Sequence, residues 1–68
     1  RHWNMKRIGR IELTILRIAA YEITQTDTPP KAAIDEALKL TRTFAGDNAV
    51  SFVNGVLDAL AKSQDQAS

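Results

Sequence analysis

The sequence predicts an all-α domain built as a bundle of three helices. Three segments carry apolar residues at helical spacing, and two punctuated turns separate them. The first turn is Thr26-Asp27-Thr28-Pro29-Pro30 and the second is centred on Gly46. No alternating segment is long enough to argue for a strand.

The first helix is expected from Arg10 to Thr24, ending where proline forces extended geometry on the residue before it. Its apolar positions Ile11, Ile15, Leu16, Ile18, Ala19, Ala20 and Ile23, with Leu13 at the edge, cover an arc of roughly 220° at 100° per residue. Two neighbouring helices do not readily cover so wide an arc. The expectation is therefore a central helix, part of whose apolar surface belongs against a segment or partner outside this chain. The alternative is a tight three-helix bundle with a well-buried first helix.

The second helix is expected to begin with Thr28 as its cap and Pro29 in its first turn, where a missing N–H costs nothing. Its seam is Ala33, Ala37, Leu40 and Phe44, flanked by Ile34 and Thr41, with Lys31, Asp35, Lys39 and Arg42 opposite. Gly46 stops it. Asp47 or Asn48 can cap the third helix, whose seam is Ala49, Val53, Val56 and Leu60 with Val50 and Leu57 beside it. Residues 1–63 form the bundle, and 64–68 are expected to be a frayed polar tail.

A chain of 68 residues is at most one domain, and it buries only about 60% of the surface its unfolded form exposes. With no cysteine there is neither a disulfide nor a thiolate metal site, and the single histidine, His2, cannot hold a metal alone. No cofactor is expected. A formal net charge of +1 supplies no global basic field, so any contact with nucleic acid must be local. Arg17 and Glu22 interrupt the longest apolar run, which therefore reads as neither a membrane span nor a signal-peptide core. The chain begins at Arg1 rather than methionine, with Trp3 and the basic group Arg1, Lys6, Arg7 and Arg10 close behind, as if entered in the middle. That basic group reads as a solvated lead-in or as a phosphate-binding patch.

Glu12 and Glu22 fall inside the apolar arc, where an unpaired carboxylate is costly. Glu22 is expected to accept amide bonds at the start of a neighbouring helix. Glu12, near Arg7 and Lys6, is a candidate for a protein interface. Phe52 falls at the rim of the third seam on the flank of Asn48 and Gly55, where it is either core or a platform for an unpaired base. Gly55 in a helix interior costs about 1 kcal/mol relative to alanine, which suggests close helix contact. No phosphate loop, nucleophile elbow or triad pattern is present, and the chain is not expected to be an enzyme.

Taken together, Arg7-Ile8 with Arg10-Ile11, the run Ile15-Leu16-Arg17-Ile18-Ala19-Ala20-Tyr21-Glu22-Ile23, the segment Pro29 to Leu40, and Phe52-Val53-Asn54-Gly55-Val56-Leu57-Asp58 resemble the C-terminal half of the NusB transcription antitermination factors. The resemblance covers Trp3 to about Ala61. It implies the second of two small helical bundles, a cytoplasmic location and a role without catalysis. Family members bind the boxA segment of nascent ribosomal RNA together with the ribosomal protein NusE, within the RNA polymerase antitermination complex. By this resemblance Asn48, Ser51 and Phe52 match RNA-facing positions, and Glu12, with Arg7 nearby, matches the NusE-facing surface.

Asn48 stands where many relatives carry aspartate and Ser51 where many carry lysine, which alters the strength of the implied RNA contact. The family's arginine-rich N-terminal segment has no counterpart, so this chain alone is expected to bind RNA poorly. The rival reading is the NusB-like accessory domain of Fmu-type ribosomal RNA cytosine methyltransferases, which usually carry alanine and arginine in place of Gly55 and Asp58. A third is a self-association module, a homodimer formed through the uncovered face of the first helix.

Overall fold

The helical periodicities produce three helices in a computed structural model that describes residues 9–67: α1 (Arg10–Gln25), α2 (Pro30–Phe44) and α3 (Asp47–Ala67). Each packs against both others. Ile15, Ala19 and Ile23, one turn apart on α1, meet Ala33, Ile34 and Ala37 of α2 and Val53 and Leu57 of α3 in a single core. Leu16, Leu38, Leu40, Phe52 and Leu60 lie half-buried around it. Among the described residues Thr41 is the buried polar one, and its hydroxyl donates to the Ala37 carbonyl at 2.8 Å, so its burial leaves no polar atom unsatisfied.

The first turn differs from expectation by one residue. Pro29, not Thr28, precedes the helix, and Pro30 takes its first position. The reason is local: Pro30 drives Pro29 to ψ 136°, outside the helical region, while its own fixed φ suits the helix start. Thr28 does not cap α2. Its amide donates to the Thr26 hydroxyl at 3.1 Å, and that hydroxyl donates to the Glu22 carbonyl at 2.7 Å, closing the end of α1.

Gly46 ends α2 as expected, at φ 94°, with the Thr41 carbonyl accepting the amides of Ala45 at 2.8 Å and Gly46 at 3.0 Å. Asp47 and Asn48 are already helical and make no capping bond. Instead, the Ala49 amide donates to the Gly46 carbonyl at 3.2 Å, and Asp47 turns to Arg42. α3 then continues through Gln64 to Ala67, beyond the point where a frayed tail was expected.

The seam of α2 is rotated from the expected line. Ile34 and Thr41 are buried, whereas Leu40 is half-buried and Phe44 is 62% exposed. Phe44 is the last residue of α2, where it borders Ile11 and Thr14 of α1 without being buried by them. On α1 the arc argument holds: two neighbours bury Ile15, Ala19 and Ile23 and leave Ile11 46% and Ile18 51% exposed. The alternative of a tight bundle with a well-buried first helix is not what forms, since Ile11, Ile18 and Tyr21 of α1 stay exposed.

Candidate nucleic-acid interface

The start of α3 gathers the three candidate RNA-facing residues. At 100° per residue Asn48, Phe52 and Gly55 fall close to one line along the helix, with Ser51 immediately beside it. Asn48, Ser51 and Gly55 are exposed, and Phe52 is half-buried, with its ring against the core. Phe52 is thus a rim residue, held by packing on one side and open on the other. A ring fixed in this way loses little freedom when a flat apolar group stacks on it.

Gly55 does not mark a close helix contact. A Cβ built on it would meet nothing within 4 Å, so no neighbouring helix demands a glycine there. Nothing internal to the bundle repays its cost in helix propensity.

Beside this line lies a shallow depression lined by Arg42, Asp47, Val50, Ser51 and Asn54. Arg42 reaches it from the last turn of α2, with Nε 3.5 Å from Asp47 Oδ1. Sequence reasoning assigned Arg42 only to the polar face of its helix. The signal that could have found it is the spacing across Gly46, which places the last turn of one helix over the first turn of the next.

The candidate protein-partner residues lie elsewhere. Arg7, with Arg1, Lys6, Trp3 and His2, falls outside the described residues. Glu12 is half-buried in the first turn of α1, three residues after the capping Gly9, and its carboxylate folds over the Gly9 α-carbon into the space a side chain there would fill. A carboxylate in a first turn also faces the positive end of the helix dipole.

Glu22 does not find the amides expected for it. It lines a groove between α1 and α2 with Ala33 and Glu36, and its carboxylate has no hydrogen bond or ion pair among the described residues. The first two positions of the nearby helix start are prolines, which reduces the N–H groups it can offer, and Glu22 itself stays half-buried at the groove edge. The same groove continues along Ile18, Ile15 and Leu40 to Ile11 and Phe44, forming an apolar channel between α1 and α2. Among the described residues no three His, Cys, Asp or Glu side chains are placed to hold a metal ion, and no helix is long and apolar enough to cross a membrane.

The ordered motifs agree with the comparisons to known proteins. A family model described as the NusB family matches residues 1–62. The transcription antitermination protein NusB of Desulfovibrio desulfuricans is 56% identical over 62 residues, which are 90% of this chain and 38% of that protein. Those of Solibacter usitatus and Campylobacter jejuni are each 49% identical, over 61 and 57 residues, covering 90% and 84% of this chain and 42% and 43% of the relative. The chain therefore spans about two fifths of the length of these curated relatives. No solved structure gives a significant match. With the match running from the first residue through the helices that carry the core and the candidate interface, the chain belongs to the NusB family.

Proposed function

We propose that this chain is the C-terminal part of a transcription antitermination factor, acting by binding rather than by catalysis. Its ligand is the boxA segment of nascent ribosomal RNA, and it works with NusE inside the RNA polymerase antitermination complex in the cytoplasm. The observation that carries the reading is the gathering of Asn48, Ser51 and Phe52 on an accessible face at the start of α3 in a chain of this family. There Phe52 offers a stacking surface, while the Asn48 amide and Ser51 hydroxyl offer hydrogen bonds to a base edge or phosphate. Single-stranded RNA suits such a face because its bases are free to stack.

NusE is assigned to the end of α1 bearing Glu12, with Arg7 of the preceding segment as a second contact. The apolar channel along Ile11, Ile18 and Phe44 is assigned to the remaining part of the full-length factor, a second helical bundle. Self-association through the same channel is the second reading, favoured by the exposure of these three residues when the chain stands alone.

The test joins the chain to the N-terminal part of the Desulfovibrio relative and compares two substitutions. Phe52→Ala should cost about 1–3 kcal/mol of boxA affinity with NusE binding retained. Glu12→Lys should do the reverse, weakening NusE and sparing RNA. A folded Phe52→Ala protein with unchanged RNA affinity removes the stacking role, and unchanged NusE affinity in Glu12→Lys removes the interface assignment.

A further inference from the structure

We infer that the RNA-facing surface extends across the α2–α3 turn, where Arg42, Ser51 and Asn54 form a seat for one backbone phosphate that Asp47 partly blocks. This rests on the RNA-binding reading above and adds to it a phosphate contact from α2.

The depression between the two helices is concave and polar, in contrast to the apolar channel on the α1 side. Its cation comes from α2 and its neutral donors from α3, so the fold rather than one helix face assembles it. Arg42 and Asp47 are 58% and 84% exposed, and an exposed pair of this kind contributes little to folding. The pair can therefore open for a ligand at small cost. A guanidinium has five N–H donors in a planar fork matched to phosphate oxygens, and a single contact through Nε leaves most of them available. The Ser51 hydroxyl and Asn54 amide have no hydrogen-bond partner among the described residues, so neither is committed to holding the fold.

The position of this seat relative to Phe52 fits a polynucleotide better than a lone anion. Ser51 borders both surfaces, and Phe52 follows it about 100° round the helix. A strand whose phosphate sits by Arg42 and Ser51 therefore has a neighbouring base within reach of the Phe52 ring. Asp47 opposes the phosphate directly. Its carboxylate both holds Arg42 over the depression and repels the incoming charge, so it tunes affinity downward.

The experiment measures the salt dependence of boxA binding by the chain joined to the N-terminal part of its Desulfovibrio relative, between 50 and 200 mM monovalent salt, with folding checked by circular dichroism. Arg42→Gln should make the slope of log affinity against log salt shallower by about 0.7, the value for one phosphate contact on a single strand. Its disadvantage against the parent then narrows about 2.6-fold across that range. Asp47→Asn should bind more tightly than the parent. Lys31→Gln, at the far end of α2, should keep the parent slope. An Arg42→Gln slope equal to the parent's, or an equal change in Lys31→Gln, overturns the inference while leaving the RNA-binding reading intact. A parent protein that binds no RNA removes both.

Discussion

Replacing Gly55 with alanine should stabilise the protein, although the glycine sits in the signature segment of the chain. The residue is exposed in the interior of α3, with no positive φ to require a glycine and open space where the new Cβ would go. The substitution then gains the difference in helix propensity, about 1 kcal/mol, with no steric cost to subtract. A domain of this length has a total stability of roughly 3–10 kcal/mol, so the gain is a sizeable fraction of the whole. It corresponds to a rise in midpoint of about 4–8 °C in thermal unfolding followed by circular dichroism. A fall in the midpoint would refute the reasoning, because it would mean that another helix does close on Gly55. Measured beside stability, boxA affinity separates two uses of the glycine. A variant that is more stable but binds RNA less well would show that the ligand, not the bundle, requires the missing side chain.

Leu57, 1% exposed, anchors α3 in the core, and Leu57→Ala should cost about 2–5 kcal/mol by chemical denaturation, enough to leave much of the chain unfolded. Retention of a parent-like midpoint would contradict the packing. Ile18→Lys separates the two states of the apolar channel. In the isolated chain it should change stability by less than about 0.5 kcal/mol, whereas joined to the N-terminal part it should destabilise by at least about 1 kcal/mol, by burying a charge against apolar surface. Equal effects in both contexts would mean that nothing covers Ile18.

The helices were legible because each carries an apolar line at helical spacing and two turns with distinct chemistry separate them. Gly46 is the clearest case: the residue type that tolerates a positive φ stands where the chain needs one. What the pattern did not resolve was competition between equivalent choices. Pro29 and Pro30 are both acceptable at a helix start, and only the effect of the second on the first decides between them. In α2, Ile34 with Thr41 and Leu40 with Phe44 offer rival seams, and the choice depends on where α1 and α3 lie.

The wide arc of α1 did forecast the exposed Ile11 and Ile18, because the width of an apolar stripe is a property of one helix alone. The candidate interface was legible only in part. Asn48, Ser51 and Phe52 share one helix and one flank, and periodicity brings them together. Arg42 lies five residues before Asp47 across a turn, so its approach depends on the direction the chain takes at Gly46. Glu22 shows the converse error. An amide donor site was inferred from the existence of a helix start, but two of its first positions are prolines without an N–H, and Glu22 makes no hydrogen bond to the amides that remain.

The central claim, that this chain is the supporting half of a boxA-binding antitermination factor, is tested most directly by titrating labelled boxA RNA. The titrations compare the chain alone with the chain joined to the N-terminal part of its Desulfovibrio relative, each with and without NusE. The account predicts weak binding by the chain alone, strong binding by the joined protein, and a further gain in affinity when NusE is added. A joined, folded protein that binds neither RNA nor NusE would contradict it.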